Sequence, residues 1–258
     1  MARWLRFERN GEAEFGVAAG EVISVHNGCM FNGAQPKGEH VPLGSVRLLA
    51  PAQPSKMIAL WNNFVALGAK LGLTAPPEPL YLIKAASSYA GPDATVRRPP
   101  GYDGKVVFEG ELAIVIGATC RNAGPETAEQ AIFGYTCVND ITAGDILNKD
   151  PSFAQWTRAK SFDGFSPFGP VIATGLRPAE LTVRTVLNGQ ERQNYPIADM
   201  VFPAATLVSL LSRDMTLEPG DVICCGTSVG VGAMREAANV VEVSIGGIGT
   251  LRTYYNNE

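Results

Sequence analysis

A β-rich α+β fold with a small N-terminal β domain is what the 258-residue sequence predicts, on three observations. The 28 glycines and 18 prolines fall as punctuation between short runs rich in Val, Ile, Leu and Thr, the rhythm of strands joined by turns. Hydrophobic residues make up 46% of the chain, enough to bury one large core, or a main domain with a small appendage. Helix-period patterning is confined to three short stretches.

In chain order, residues 1–53 alternate strand-like pieces (WLRFE, EFGVAAG, EVISV) with turn residues and run into the proline-flanked stretch Pro51 to Pro54. They read as a small N-terminal β domain and linker, with residues 54–258 as the second domain. Helical pattern is expected at Lys56 to Leu71, at Thr127 to Phe133 and at Ala204 to Leu211, the last after a proline. Strands are expected at FEGELAIVIG (108–117) and at Tyr135 to Val138, and residues 77–104 are the most loop-like segment.

Composition removes several function classes. A net charge of −4, with 21 Lys and Arg residues scattered apart from the pair Arg97-Arg98, leaves no basic footprint for nucleic acid. No apolar run approaches the roughly 20 residues a bilayer span requires, and MARWLRFERNGEAEF carries charge where a signal peptide needs its apolar region. No membrane partner and a cytoplasmic location are therefore expected. The five cysteines form no CxxC pair and are odd in number, which fits reduced thiols, most of them small core residues.

Chemistry concentrates on FEGELAIVIG. Side chains alternate along a strand, so Glu109 and Glu111 share a face with Ala113 and Val115, while Phe108, Leu112 and Ile114 face the other way. Their Cα atoms would lie roughly 7 Å apart at ~3.3 Å per residue, and Gly110 leaves the reverse face open to close packing. If that face is buried, two ionised carboxylates need a cation or good donors. The alternative is a solvent-facing edge strand with two surface acids. Asp140, at the end of the Tyr135 to Val138 strand, supplies a third carboxylate, and an all-oxygen set of this kind suits Mg²⁺, Mn²⁺ or Ca²⁺. Zinc fits less well, because His26 and His40 are the only histidines and both lie in the N-terminal region. The alternative role for Asp140 is a helix N-cap.

The stretches FEGELAIVIG, FGYTCVND, RAKSFDGFSPFGP, LNGQERQ, LEPGDVICCGTSVGVG and GIGTL, in this order over about residues 54 to 252, resemble the fumarylacetoacetate hydrolase family. The resemblance implies a mixed β-roll around a divalent metal, usually Mg²⁺, held by Glu109, Glu111 and Asp140, in a homodimer. It further implies that Lys160 meets substrate oxygens, that Thr227 donates to a substrate carboxylate, and that Asp163 lies near the metal's water shell. Lys84 and Arg158 could supply further positive charge to an anionic oxo acid, Lys84 as a catalytic group assisting proton transfer or charge balance, and the run Gly226-Thr227-Ser228-Val229-Gly230 offers backbone N–H groups for the same purpose. Structural alternatives stand beside these: an ion pair between Lys160 and Asp163, a loop cap for Asp163, a tight turn at Gly226 to Gly230, and a strand lysine reaching solvent for Lys84.

One departure from the family matters for mechanism. Hydrolytic members carry a histidine and a glutamate in a motif like GxNYxxHxxE; here LWNNFVALGAKLG places Leu67 and Lys70 at those positions. Neither replaces a neutral imidazole as a base near pH 7. The stretch looks more like that of the decarboxylase and isomerase members of homoprotocatechuate degradation. The expected function is divalent-metal-dependent C–C bond cleavage in a small anionic 2-oxo acid through a metal-stabilised enolate, decarboxylation favoured over hydrolysis. The alternatives are a keto–enol tautomerase or isomerase of the same substrate class, and a non-catalytic metal or anion binder. The stretch Asp145 to Trp156 is expected to act as a flap.

Overall fold

A computed structural model describes residues 1–258. Strands β1 (Arg3–Arg9), β2 (Glu12–Ala19), β3 (Val22–Cys29) and β4 (Asn32–Pro42) form an antiparallel meander, and β5 (Arg47–Leu49) returns onto β1. Next come β6 (Met57–Trp61), helix α1 (Val65–Leu71), β7 (Leu80–Lys84), β8 (Tyr89–Ala90) and β9 (Ala94–Arg97). The central segment holds β10 (Val106–Phe108), β11 (Gly110–Ile116), α2 (Pro125–Gln130), β12 (Ile132–Asn139), β13 (Thr142–Ala143), α3 (Gly144–Leu147), α4 (Trp156–Lys160) and β14 (Ser166–Ala173). The chain ends with β15 (Thr182–Leu187), β16 (Gln190–Pro196), α5 (Ala204–Asp214), β17 (Val222–Cys224), β18 (Gly232–Ala233), β19 (Ala238–Ile245) and β20 (Gly249–Asn256).

Twelve strands form one mixed sheet whose path runs β4-β3-β2-β1-β14-β12-β11-β17-β6-β7, with β5 and β8 attached to β1 and β14. The path does not close into a barrel. The N-terminal meander is continuous with the rest through β1 and β14, where Arg3 pairs with Ala173 and Trp4 with Ile172. A five-stranded sheet, β16-β15-β19-β20-β9, and a small one, β13-β10-β18, complete the fold.

Strand β11 lies mid-sheet and is buried along its length. Leu112, Ile114 and Ile116 enter the larger core, which includes Leu207, Leu211 and the inward residues of β15 and β19. Ala113 and Val115 enter a second core on the opposite face with Met57, Ala59, Leu82 and Cys224. Burial on both faces rules out the wet edge strand as the setting for Glu109 and Glu111. Gly110 is where the five-stranded sheet presses closest: a Cβ there would lie 2.0 Å from Thr185 Oγ1 and 3.2 Å from Val243 Cγ2. Gly110→Ala is therefore expected to cost about 1–3 kcal/mol in a denaturant titration, part of it recovered by adding Thr185→Ala.

Two sequence expectations are corrected. The helix expected over Lys56 to Leu71 is strand β6 followed by the seven-residue α1. Met57 to Leu60 is buried between β17 and β7 on both faces, so its continuous apolar run has no strand alternation to betray it, and Asn62, at φ 54°, turns the chain before the helix. The loop-like segment 77–104 contains β7, β8 and β9. Helices α2 and α5 fall where helical pattern was expected, although α2 stops at Gln130 and Ile132 already opens β12. Four cysteines are buried, Cys29 is exposed, and all five are free thiols. No helix is long and apolar enough to cross a membrane.

Candidate active site

Three strand ends build the site. Glu109 occupies the junction between β10 and β11, and Glu111 lies two residues on, facing the smaller core. Gly110 pairs with Asn139, so Asp140 emerges from β12 opposite Glu109, and its N–H donates to the Glu109 carbonyl at 2.8 Å. One carboxylate oxygen from each of Glu109, Glu111 and Asp140 lies within 4.8 Å of the others. Asp140 caps no helix, since α3 starts at Gly144 with Ala143 at its N-cap.

Two lysines meet these acids. Lys160, the last residue of α4, donates to Glu109 Oε2 at 3.0 Å, Asp140 Oδ2 at 2.6 Å and Thr142 Oγ1 at 2.8 Å. Thr142 in turn donates to Glu109 Oε1 at 2.7 Å. Lys84 ends β7 with its side chain fully buried; it donates to Asp140 Oδ1 and, at 3.1 Å, to the Phe165 carbonyl. Lys84 thus points inward, against the alternative in which it reaches solvent along its stem. Burial pushes the Asp140 carboxyl up, but Lys160 and Lys84 outweigh it and hold it below the ordinary carboxylate range. For Lys160, burial pulls down while Asp140, Glu109 and Glu111 raise it further, so it stays an ammonium.

Glu111 is the unbalanced member. Its Oε2 accepts from the Gly226 N–H at 2.9 Å, while Oε1 is buried without a hydrogen-bond partner. Burial, then the Asp140 and Glu109 charges, push its carboxyl well above the ordinary range.

The turn after β17 closes the site. Gly226, at φ 88°, aims its N–H at Glu111, and Ser228 is buried with a partnerless Oγ. The Thr227 hydroxyl donates to the Gly110 carbonyl at 3.1 Å and accepts from Gln193 Nε2 at 2.8 Å. Gln193 and Tyr195 alternate on the inward side of β16, and both reach Gly110: Gln193 Oε1 accepts its N–H at 3.0 Å and the Tyr195 hydroxyl donates to its carbonyl at 2.7 Å. Burial and the Glu111 charge push the Tyr195 phenol up, keeping it a donor.

Other expected residues lie apart. Arg158 is exposed and forms no ion pair. Asp163 is exposed and lines an open cavity of about 850 Å³ with Thr95 to Pro100 and Glu258, and Lys160 pairs with Glu109 and Asp140 instead of with it. That cavity contains none of the three carboxylates; convergent buried charge, rather than volume, marks the site. Leu67 is packed in the larger core, and Lys70 is exposed on α1. Thr142, Gln193 and Tyr195 carry no motif of their own chemistry. Gln193 closes LNGQERQ, and only its two-residue spacing from Tyr195 on a strand hints that the pair shares a buried face.

The residues fit a hard divalent ion. The donor set is all oxygen, its atoms converge, and Glu111 Oε1 is an orphaned buried acceptor that no protein donor satisfies.

Residues 56–254 match the model of the fumarylacetoacetate (FAA) hydrolase C-terminal family, and residues 2–51 match an Rv2993c-like N-terminal model. This chain belongs to the fumarylacetoacetate hydrolase family. Within it, the oxaloacetate tautomerase YisK of Bacillus subtilis is 35% identical over 222 residues, covering 81% of this chain and 73% of that protein. The 2-hydroxyhepta-2,4-diene-1,7-dioate isomerase of Mycobacterium marinum has the same fold, with a TM-score of 0.91 and 34% identity, covering 100% of this chain and 99% of that one. The maleylpyruvate hydrolase of Sphingobium sp. SYK-6, solved in complex with manganese (II) ion and pyruvate, aligns with a TM-score of 0.80 at 27% identity over 99% of each chain. The mixed, unclosed sheets are thus those of a family whose members include isomerases, tautomerases and hydrolases of small acids.

Proposed function

We propose that the protein is a divalent-metal-dependent enzyme acting on a small anionic 2-oxo acid, and that it breaks a bond at C3 by decarboxylation rather than by hydrolysis. The observation that carries this reading is the convergence of Glu109, Glu111 and Asp140 within 4.8 Å, with Glu111 Oε1 unpaired. These three would hold Mg²⁺ or Mn²⁺, with Ca²⁺ third by donor chemistry, and the maleylpyruvate hydrolase solved in complex with manganese (II) ion and pyruvate supports the assignment. Such an ion would supply Lewis-acid pull on the 1-carboxylate and 2-oxo oxygens of the substrate.

The chain's own groups do the rest. Loss of CO₂ and loss of a C3 proton both leave an electron pair that the 2-oxo oxygen must accept as charge. Lys160 is the ammonium nearest that development: it can exchange its bond to Thr142 for one to a substrate oxygen while keeping Asp140. Lys84 lies behind Asp140 with its side chain fully buried, which suits charge balance better than proton transfer. With Glu109, Glu111 and Asp140 ionised, the two ammonium groups leave the cluster one negative charge, and a divalent ion would make it one positive, complementary to an oxo acid. Thr227, Gly226 and the partnerless Ser228 hydroxyl form the end that would receive the substrate carboxylate. Arg158 and Asp163 take no part unless the Asp145 to Trp156 stretch and the loop after α4 move.

Hydrolysis requires a base to activate water, and α1 presents Leu67 and Lys70 at the positions where the resemblance implies histidine and glutamate for hydrolytic members. Keto–enol tautomerisation is the second reading, favoured by the likeness to YisK and to the M. marinum isomerase. One assay separates them: protein with Mn²⁺ is given oxaloacetate or an acylpyruvate while enol absorbance and CO₂ are followed independently. CO₂ release above the Mn²⁺-only rate supports decarboxylation, enol change without CO₂ supports tautomerisation, and no metal-dependent change with either substrate overturns both. Glu109→Gln is expected to weaken Mn²⁺ binding at least several-fold by calorimetry, and unchanged affinity would remove Glu109 from the ligand set. The homodimer implied by the resemblance belongs to this proposal, with exposed apolar side chains such as Val65, Leu71 and Phe153 available to a second copy; sedimentation at micromolar concentration checks it.

A further inference from the structure

The backbone of Gly110, between the two glutamates, is held by three side chains at once. Gln193 Oε1 takes the Gly110 N–H at 3.0 Å, and the Gly110 carbonyl accepts from Tyr195 at 2.7 Å and from Thr227 at 3.1 Å. Because Gln193 Oε1 faces an N–H, its amide has one permitted orientation, and Nε2 must point at Thr227 Oγ1 and the Ser228 carbonyl, 2.8 and 3.3 Å away. A threonine hydroxyl carries a single proton. With Gln193 Nε2 donating to its oxygen, the Thr227 proton is turned away from Gln193 and is free to be donated, either to Gly110 or to something that arrives in its place.

We propose that Gln193 and Tyr195 are positioning residues that prepare Thr227 to donate to the substrate's carboxylate end: Gln193 fixes the hydroxyl as a donor, and Tyr195 keeps the Gly110 carbonyl satisfied when Thr227 lets go. The inference rests on the reading of this site as an oxo-acid site. Without Tyr195, releasing Thr227 would leave a buried carbonyl with no partner, a cost charged against every binding event. Tyr195 is suited to hold on alone. It is 3% exposed, and its ring meets Phe64 edge-on at 5.0 Å, so its hydroxyl has little freedom to leave. Gln193, 1% exposed, is equally fixed.

The test is a double-mutant cycle on the full-length protein loaded with Mn²⁺, with oxalate as the probe and titration calorimetry as the readout. Tyr195→Phe is expected to weaken oxalate binding about tenfold while Thr227 is present, and less than about twofold in a Thr227→Val background. Gln193→Leu should follow the same pattern, and Mn²⁺ affinity should change less than about twofold in Tyr195→Phe. With a turned-over oxo acid, the loss should appear in KM rather than in kcat. Equal losses in both backgrounds, or no loss, would overturn the proposal, because a merely structural role does not depend on the Thr227 hydroxyl. Tyr195→Phe preserves shape, so it keeps the test decisive even if Gln193→Leu does not fold. Failure of the wild-type protein to bind Mn²⁺, or oxalate on top of it, would instead overturn the functional reading on which the inference stands.

Discussion

Lys84→Met is expected to lower the unfolding free energy by about 3 kcal/mol, the lower end of what breaking a buried ion pair costs. The methionine fills much of the same space, so the loss comes from charge. Lys84 and Asp140 have side chains 0% and 1% exposed, and without Lys84 the Asp140 carboxylate keeps only Lys160 as a charged partner. The effect has a pH signature. In the native protein Asp140 titrates below its ordinary value of 3.8, because Lys160 and Lys84 together outweigh its burial. A carboxyl depressed by folding contributes stability that is complete above its unfolded pKa and is lost as pH falls through the folded one. Acid unfolding of Lys84→Met should therefore begin at higher pH than in wild type. Asp140→Asn added to Lys84→Met should recover part of the loss, since the buried carboxylate that has lost one of its two cations is then gone. Urea titrations at pH 7 and pH 4 check both statements, and a change below about 0.5 kcal/mol would mean that Lys84 carries no buried charge to Asp140.

The legibility of this site in the sequence follows which of its contacts are local. Glu109 and Glu111 were visible because strand alternation puts both on one face, and Gly110 because a gap between two acids has a packing reason, met here by Thr185 pressing on it from another sheet. Asp140 was visible as a strand end, yet nothing in the sequence says that β12 pairs with β11 in the register that sets Asn139 against Gly110. Lys84 illustrates what stayed hidden. It lies 56 residues from Asp140 along the chain, and strand pattern alone leaves it free to reach solvent. The same holds for Gln193 and Tyr195, which meet Gly110 from a different sheet. The misread helix at Lys56 has a related cause: a strand buried on both faces loses the period-two signal, and MIAL is as good a helical fragment as a strand. Asp163 and Arg158 were carried by motif position, and both side chains turn toward solvent, Arg158 from helix α4 and Asp163 from the loop after it.

Glu111→Gln should separate what the site costs from what it does. Mn²⁺ affinity is expected to fall by at least about tenfold, while the metal-stripped protein becomes more stable by roughly 1 kcal/mol at pH 7. Both follow from one carboxylate held in the wrong surroundings for its charge. Burial comes first, and the Asp140 and Glu109 charges second, in pushing Glu111 well above its ordinary 4.5. A carboxyl raised by folding binds its proton more tightly in the native state. Its contribution is therefore whole below the unfolded pKa and is lost as pH rises through the folded one, the reverse of Asp140. The metal-stripped wild type should thus weaken on going from about pH 4.5 upward in this window, and the glutamine variant should not. Glutamine keeps an oxygen for the Gly226 N–H and turns an NH₂ toward the other two acids, where Oε1 now has no partner. A bound cation favours the ionised Glu111, so wild-type Mn²⁺ affinity should climb as pH rises. Thermal melts with EDTA and calorimetric Mn²⁺ titrations between pH 5 and pH 8 measure the two halves. A variant that loses stability and keeps its Mn²⁺ affinity would show that Glu111 is a structural acid tied to Gly226, and the ligand set would have to be drawn without it.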